Sequence, residues 1–473
     1  MPGCADVCHQ PHTYMNLPIL SAVSAALMIG IASGYSQSNN SREAEVRRLA
    51  QPLVDARLVP GLAIGIYEDG HVETYGLGVI SKEHSVAPDA HTIYEIGSVT
   101  KVFTSLLLAE AVKRGEVSLD TPLSRVLPPD VKPPKRDGQE ITLEQLATHS
   151  SGLPRIPSNM VADSLVNPYA DYGRDKLFAF LNGYQIPRKP GAEWAYSNLG
   201  MGLLGTLLAD KAGSSYGNLL QERIAKPLAM ADTTVSLSSK QLPRLAPPHR
   251  GGLSVSNWDF AALAGCGAVR STVSDLLKLV AAEVDPASSP LKASIRLVSQ
   301  RRRTIPGVPW SMALGWMIAG DGTTLWHNGQ TGGYSSSVFV NPGLKKGVVV
   351  LANGADSAVD VLGERLIQAL AGMKVQPPKV RRSIPLAEAQ LDRLAGDYLS
   401  TAGLTITITR SGDALFAQLT GQAALHIHAE SATRFFYREV DADLQFDIDP
   451  KTDRATAVTL FQNGKQLRCL RKP

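Results

Sequence analysis

Three short strings of residues, far apart along the 473-residue chain, carry groups that could perform acyl transfer. The first joins a serine to a lysine three residues later, Ser98 and Lys101. The second places Tyr196 two residues before Asn198, and the third is His327-Asn328-Gly329. A serine beside a base can act as a nucleophile, a tyrosine can carry a second proton, and amide and backbone N–H groups can bind the acyl group. In this order the strings predict a serine hydrolase that needs no metal and no cofactor.

The spacing of the first string brings its two groups together if the segment is helical. Residues three apart share one face of a helix, so the side chains of Ser98 and Lys101 can meet. The apolar run 102–108 that follows indicates a buried helix, whose positively polarised N-terminal end would hold the serine. A serine placed there can lose its proton to the neighbouring lysine.

Neither short spacing is specific when it stands alone. Ser-x-x-Lys recurs at Ser289 and Lys292, and Tyr-x-Asn recurs at Tyr216 and Asn218. We interpret the first copy as a junction between a loop and a helix and the second as a helix start, both without chemistry. It is the ordered set of three strings that favours a catalytic site over chance.

The residues that flank the strings resemble a known family. Segments 95–101 (EIGSVTK), 146–154 (LATHSSGLP), 196–200 (YSNLG) and 326–334 (WHNGQTGGY) are similar to the penicillin-recognising serine hydrolases. This group contains class C β-lactamases, D-alanyl-D-alanine carboxypeptidases of similar fold and related esterases, and the resemblance covers about residues 45–380. It implies an α/β (α+β) β-lactamase/transpeptidase-like fold, in which an antiparallel sheet flanked by helices lies against a helical lobe.

The resemblance also implies a role for each matching residue. Ser98 would be the nucleophile and Lys101 its base or proton relay. Tyr196 would help to deprotonate the serine and would then protonate the leaving group, while Asn198 would hold the amide of the substrate. The backbone N–H groups of Ser98 and Gln330 would form the oxyanion hole, where one donor is typically worth about 3 kcal/mol.

One position departs from the family. Where its β-lactamases and carboxypeptidases usually have Lys-Thr-Gly, this chain has His327-Asn328-Gly329, and His327 and Gly329 would line the substrate-binding strand with Gln330. A histidine is mostly neutral at pH 7 unless an anion raises its pKa, so recognition of a substrate carboxylate should be weaker or more dependent on pH. His-x-Gly is frequent among esterases and peptidases of the family, which keeps an esterase open. The alternative is that His327 only hydrogen-bonds a neighbour on its strand.

The N-terminus carries a predicted signal peptide, residues 1–34. Residues 17–32 form an uncharged apolar run, too short to favour a membrane span, and the small residues Ala32 and Gly34 suit cleavage after Gly34. The basic stretch that usually opens such a leader is missing. We expect a periplasmic or secreted protein without stable membrane insertion, with an uncleaved leader that anchors the protein as the alternative.

Composition and charge limit the partners. The hydrophobic content of 44% and the charged content of 19% are ordinary for a globular protein, and a dispersed net charge of +4 gives no reason to expect nucleic acid. A small-molecule or peptide substrate is the expected partner, and the sequence leaves the oligomeric state open. Cys4 and Cys8 lie in the leader, so the mature chain would keep Cys266 and Cys469, predicted as buried or half-buried thiols without a disulfide.

The chain divides into a large and a small predicted domain. We assign residues 42–372 to the hydrolase domain, 373–385 to a charged linker that contains proline, and 386–473 to a β-rich domain. In the last segment about seven short alternating strands follow one helix, which predicts a small sandwich or barrel. The segment resembles the lipocalin-like tail of some members of the family.

Periodicity and turn signals predict the elements that position the three strings. An amphipathic helix covers 42–57, and Asp69-Gly70 joins strands 61–68 and 71–79 in a hairpin. We expect a loop-rich lobe over 155–195. The other predicted elements are helices that begin at 100, 143 and 198, a helix at 275–284, strands at 314–318, 324–327, 335–340 and 347–352, and a helix at 359–370.

Together these features predict a serine hydrolase that forms an acyl-enzyme on Ser98 and releases it to water. We interpret it as class C β-lactamase-like, acting on β-lactams or on D-alanyl peptide amide bonds. A carboxylesterase with the same site is the first alternative. The second is a non-catalytic protein that binds β-lactams or wall peptides, although a pure binder would not need Lys101 and Tyr196.

Overall fold

The computed structural model describes residues 41–472 apart from 81–84, 161–165, 421, 423, 439, 441 and 463. The predicted signal peptide, with Cys4 and Cys8, lies outside the described residues. Within the residues that are described, no helix combines the length and the apolar character that a membrane span requires.

The larger part of the chain contains nine α-helices within the described residues. They are α1 (41–55), α2 (Thr100–Lys113), α3 (Leu143–Ala147), α4 (Arg174–Gly183), α5 (Asn198–Lys211), α6 (Tyr216–Leu220), α7 (Val273–Val284), α8 (Lys292–Val298) and α9 (Ala358–Leu370). The predicted helix starts at 100, 143 and 198 are confirmed. The second copies of the two short motifs lie at the starts of α6 and α8, as predicted.

The strands of this part form one large antiparallel sheet and three small pairs. They are β1 (Gly61–Glu68), β2 (His71–Gly78), β3 (Tyr94–Glu95), β4 (Lys135–Arg136), β5 (Gln139–Glu140), β6 (His249–Arg250), β7 (Leu253–Ser254), β8 (Arg270–Ser271), β9 (Arg303–Thr304), β10 (Ser311–Met312), β11 (Met317–Ile318), β12 (Leu325–Gln330), β13 (Ser335–Asn341) and β14 (Lys346–Ala352). The large sheet has the order β2-β1-β14-β13-β12-β11-β10-β9, while β3 pairs with β8, β4 with β5 and β6 with β7.

The central strands of the sheet are covered on both faces. Every residue of β13 is buried, and β1 and β14 are buried except at one end. Helices α7 and α9 both pack on β13 and β14. This explains why β1 and β14 are nearly continuous apolar runs rather than alternating ones, whereas β13 combines buried serines at 335–337 with the apolar residues 338–340. The predicted hairpin is confirmed, because Asp69 and Gly70 have φ angles of 50° and 90°, as a type I′ turn requires.

The helical lobe packs around α2 and α5, which are buried along most of their length. Gly205 of α5 approaches the segment before Cys266 so closely that a Cβ on Gly205 would lie 2.8 Å from the Cα of Gly265.

Two predictions about secondary structure need correction. The segment 155–195 contains α4, whose Leu177, Phe180 and Leu181 face the core at helical spacing. The predicted strand 314–318 is shortened to β11.

The C-terminal part folds as a closed barrel. After α10 (Glu388–Asp392) come β15 (Gly396–Ser400), β16 (Thr405–Ser411), β17 (Ala414–Leu419), β18 (Leu425–Ala429), β19 (Arg434–Tyr437), β20 (Ala442–Asp449), β21 (Arg454–Gln462) and β22 (Lys465–Arg471). The sequence analysis missed β15, of which only Tyr398 and Ser400 are buried. Because β15 pairs with both β16 and β22, it closes the sheet into a barrel rather than a sandwich. The predicted fold class, a β-lactamase-like domain followed by a small all-β domain, is confirmed.

The barrel also contacts the larger part of the chain. The guanidinium of Arg438 donates to the carbonyl groups of Ala56 and Arg57, and the ring of His426 lies against Gly251 in the β6–β7 turn. A cavity of about 700 Å³ lies between α9, the linker and β19, and no residue of the three strings lines it. The chemistry of the strings is therefore assembled elsewhere, between α2, α5 and β12.

Candidate active site

A short helical turn carries Ser98 to the start of α2. Residues Gly97–Val99 form a 3₁₀ turn, and Lys101 occupies the first turn of α2 with no exposed surface. Its Nζ donates a hydrogen bond of 2.9 Å to Ser98 Oγ and one of 2.7 Å to the carbonyl oxygen of Cys266. Both distances lie within the range of strong hydrogen bonds, so the amine is held in position to exchange a proton with the serine.

The second string lies at the start of α5, where it meets this amine. The ring centre of Tyr196 is 4.9 Å from Lys101 Nζ. Ser197 caps the helix by accepting the Gly200 N–H at 2.8 Å, which places Asn198 in the first turn. The Nδ2 of Asn198 donates to the hydroxyl of Tyr169 at 3.0 Å, while its Oδ1 is buried with no hydrogen-bond partner in the described part of the chain. That oxygen can accept a hydrogen bond from a substrate amide.

The third string packs directly against the turn that carries Ser98. A Cβ on Gly329 would overlap the carbonyl oxygen of Ile96 and would lie 2.8 Å from the Ser98 backbone nitrogen, so only glycine fits there. Gly97 has a φ of 48°, and a Cβ on it would lie 2.7 Å from the backbone nitrogen of Gln330. The backbone nitrogens of Ser98 and Gln330 therefore belong to two segments in close contact, the arrangement that an oxyanion hole requires.

His327 is buried on β12 beside the same amine. Its Nδ1 lies 2.6 Å from the carbonyl oxygen of Asn328, which can only accept, so Nδ1 carries the proton of the neutral ring. Burial and then the positive charge of Lys101 lower the pKa of His327 to about 3. The ring is therefore neutral at pH 7, and its Nε2, which has no partner among the described residues, presents a lone pair. In this state His327 can accept a hydrogen bond but cannot donate one to a carboxylate.

His149 holds the segment that contains Tyr196, and it was not among the predicted site residues. Its carbonyl oxygen accepts the Ala195 N–H at 2.8 Å and its Nδ1 accepts the Ser197 N–H at 3.1 Å. Its ring centre lies 4.4 Å from that of Tyr196. Burial and then the charge of Lys101 lower the pKa of His149 well below its usual value, so the ring stays neutral. The sequence could have indicated His149 as a site residue, because it lies in segment 146–154, which resembles the family.

Comparisons with known proteins agree with this arrangement. Residues 46–373 match the family model described as Beta-lactamase. The chain belongs to the beta-lactamase family. Residues 380–469, which include most of the barrel, match a second model described as a domain of unknown function, DUF3471. The resemblance to penicillin-recognising serine hydrolases is thus confirmed at the level of the family.

Three relatives show the range of proteins to which this beta-lactamase family member is similar. The D-alanyl-D-alanine-carboxypeptidase/endopeptidase AmpH of Escherichia coli (strain K12) is 31% identical over 268 residues, or 54% of this chain and 69% of the relative. A beta-lactamase of the same strain is 27% identical over 347 residues, covering 65% and 88%. Penicillin-binding protein 4 of Amycolatopsis lactamdurans is 27% identical over 378 residues, covering 73% and 94%.

We expect this beta-lactamase family member to lose stability as the pH falls below about 6.5, the ordinary pKa of histidine. Burial lowers the pKa of His327 to about 3, of His426 to about 4 and of His428 to about 2, and burial together with the charge of Lys101 lowers that of His149 well below its usual value. The unfolded chain therefore binds more protons than the folded chain between these values and pH 6.5. Each such histidine can remove up to about 1.4 kcal/mol of the free energy of unfolding per pH unit.

Two buried carboxyl groups oppose this loss of stability at low pH. Comparing one histidine variant with the unchanged protein therefore tests the prediction more directly than the total pH dependence does. Burial raises the pKa values of Glu283 and Asp360 to about 7, which stabilises the folded state as pH falls from 7 to their ordinary values. Denaturant unfolding at pH 7.5, 6.0 and 5.0 should show a weaker pH dependence for His428→Gln than for the unchanged protein. Equal dependences would show that folding does not lower the pKa of this barrel histidine.

Proposed function

We propose that this protein is a serine hydrolase that forms an acyl-enzyme on Ser98, with D-alanyl peptide amides or β-lactams as its substrates. The observation that carries the proposal is the 2.9 Å contact between Lys101 Nζ and Ser98 Oγ, made by a completely buried amine. A buried lysine aimed at a serine in a helical turn has little structural purpose, because burying an amine is costly. It supports a nucleophile and its base.

The reaction begins when Ser98 Oγ attacks the carbonyl carbon of the scissile bond. As the new C–O bond forms, the hydroxyl proton passes to the unprotonated form of the Lys101 amine, with Tyr196 as the neighbouring proton carrier. The carbonyl oxygen becomes an oxyanion, which the backbone N–H groups of Ser98 and Gln330 stabilise. The bond to the leaving amine or ester oxygen then breaks, and Tyr196 returns the proton to that atom.

Water completes the cycle by attacking the acyl group on Ser98. The same base accepts a proton of the water molecule, the ester bond to Oγ breaks and the serine recovers its proton. Asn198 holds the substrate amide, because its buried Oδ1 needs a donor that the described residues do not provide. His327, Gly329 and Gln330 form the strand against which the substrate lies.

A carboxylesterase with the same site is the second candidate, and the state of His327 favours it. A neutral ring that presents a lone pair gives no attraction for a carboxylate at that position. Esters without a charged group would be accepted equally well there. A non-catalytic binding protein is less consistent with the site, because binding alone requires neither Lys101 nor Tyr196.

The C-terminal barrel supports the interpretation of a lipocalin-like accessory domain. Its interior is filled by side chains that include Tyr398, Phe435 and Phe446, so we assign it no catalytic role. The predicted leader supports a periplasmic or secreted location for the enzyme, as an expectation from the sequence.

Turnover of three substrates by one preparation tests the proposal. We expect hydrolysis of nitrocefin or of a D-alanyl-D-alanine peptide, together with a covalent acyl adduct on Ser98 that is detected by mass spectrometry. Turnover of p-nitrophenyl acetate alone, with the same adduct, would favour the esterase. Penicillin that binds without any adduct or turnover would contradict both and leave a binding protein.

A further inference from the structure

Arg155 brings a second positive charge to the tyrosine of the site. The carbon at the centre of its guanidinium lies 5.0 Å from the centre of the Tyr196 ring, the same ring that Lys101 Nζ approaches to 4.9 Å. Cations favour the face of an aromatic ring, so this contact holds the guanidinium at the tyrosine. Unlike Lys101, the Arg155 side chain is exposed, and a substrate can reach it.

The backbone of Arg155 is tied to the residues that begin α5. Its carbonyl oxygen accepts the N–H of Asn198 at 3.0 Å and that of Leu199 at 3.2 Å. Two hydrogen bonds to consecutive N–H groups fix the carbonyl at a helix start, where such donors have no partner within the helix. Arg155 is thus anchored at the residue whose side-chain oxygen faces the substrate amide, and its guanidinium extends from that point over Tyr196.

The charge of Arg155 is uncompensated in the described part of the chain. Other arginines of the helical lobe pair with carboxylates, as Arg174 does with Asp210 at 2.6 Å and Arg223 with Glu116 at 2.7 Å. No carboxylate within the described ranges forms an ion pair with Arg155. An exposed guanidinium without a partner can bind an incoming anion at no cost in broken ion pairs.

The other groups near Tyr196 cannot take this role. Lys101 is buried and directs its amine to Ser98 and to the carbonyl of Cys266. His327 and His149 are neutral, because burial and the charge of Lys101 lower their pKa values. This leaves the Arg155 guanidinium as the cation of the site that a substrate anion can reach, among the residues described.

We propose that Arg155 determines specificity by binding a carboxylate group of the substrate. The proposal rests on the proposed function and deepens it, because it names acyl donors that carry a carboxylate within reach of the scissile bond. The planar guanidinium can donate two parallel hydrogen bonds to a carboxylate, a geometry that a lysine cannot reproduce.

The experiment compares Arg155→Gln with the unchanged protein on matched substrate pairs. The first pair is an acyl-D-alanyl-D-alanine peptide and its C-terminal carboxamide, which are compared by kcat/KM. The second pair is benzylpenicillin and its methyl ester, which are compared by the rate of Ser98 acylation. For the carboxylates we expect kcat/KM or the acylation rate to fall about tenfold to a hundredfold. This is the loss expected when a hydrogen bond between charged groups is removed. For the neutral partners we expect a change of less than about threefold.

Two further variants separate charge from structure. Arg155→Lys should recover part of the loss for carboxylates, because it keeps the charge but not the paired donors. Arg454→Gln, which removes an exposed arginine from the barrel, should alter neither pair. The preference of the unchanged protein for carboxylates should also weaken as sodium chloride is raised, since an exposed charge is screened by salt.

Three results would overturn the proposal. Equal losses for both members of a pair would mean that Arg155 only holds Tyr196 or the start of α5. No loss for either member would mean that the guanidinium does not meet the substrate. A lysine variant that is no better than glutamine would mean that the positive charge at this position does not attract the carboxylate. Failure of the proposed function is a different outcome, in which the unchanged protein neither turns over any of the four compounds nor forms an adduct on Ser98.

Discussion

Ser98→Ala should abolish covalent labelling by fluorescent penicillin and lower turnover at least about 10⁴-fold, while the protein stays folded. The variant removes the oxygen to which Lys101 Nζ donates at 2.9 Å, and no other hydroxyl forms a hydrogen bond with that amine in the described residues. The measurement is intact-mass spectrometry after incubation with penicillin, together with initial rates on the best substrate found.

Two further variants test the base and control for the substitution itself. Lys101→Ala should be nearly as severe, because nucleophile and base act as a unit. Ser289→Ala is the matched control, since Ser289 and Lys292 repeat the spacing at the start of α8 but belong to no such site, and it should retain normal turnover. If Ser98→Ala kept substantial activity, the acyl-enzyme mechanism would be wrong, and a mild effect of Lys101→Ala would move the base role to Tyr196.

Gly329→Ala should lower turnover about a hundredfold to a thousandfold, the cost of displacing one oxyanion donor. A Cβ at this position would overlap the Ile96 carbonyl and approach the Ser98 nitrogen to 2.8 Å, so β12 must move away from the turn that carries the serine. A displacement of about 1 Å is enough for such a loss. The crowding should also lower the free energy of unfolding by about 1–3 kcal/mol. Both quantities can be measured on one preparation.

Gly343→Ala is the matched control for this substitution. Gly343 lies in the exposed turn between β13 and β14, where an added Cβ would meet only the Asn341 side chain at 3.4 Å. It should leave turnover and stability close to normal. Normal turnover in Gly329→Ala, by contrast, would show that the contact between β12 and the serine turn is not needed, and the oxyanion hole would have to be placed elsewhere.

Much of the framework could be predicted from local pattern. The serine and lysine three residues apart, followed by an apolar run, predicted the start of α2, and Asp69-Gly70 predicted its hairpin, because these features depend on neighbours in the chain. The strand 347–352 was equally clear, since a strand buried on both faces is apolar throughout, and strand 335–340 was indicated by its β-branched and aromatic run 338–340. Their observed bounds, Ser335–Asn341 and Lys346–Ala352, differ by one residue at an end.

Two of the longer elements, α4 and β15, escaped the sequence analysis for different reasons. The helix α4 has a regular apolar spacing, but it lies among prolines, glycines and tyrosines that are typical of loops, and it is stabilised by packing on the helical lobe. The strand β15 has only two buried residues and gains its place by pairing with β22, which follows it by more than sixty residues. Pairing across such a distance leaves no local signal.

The sequence by itself determined which chemistry is available: a serine, an amine, a phenol, an amide and a histidine, in an order typical of one family. The tertiary structure alone decided the state and direction of those groups. It buries Lys101 against the Cys266 carbonyl, makes His327 a neutral acceptor and packs the His149 ring on Tyr196. It also places the Arg155 guanidinium over the Tyr196 ring with no ion-pair partner among the described residues. Desolvation and charge act through space between residues that are distant in the chain, so no local pattern of residue types can report them.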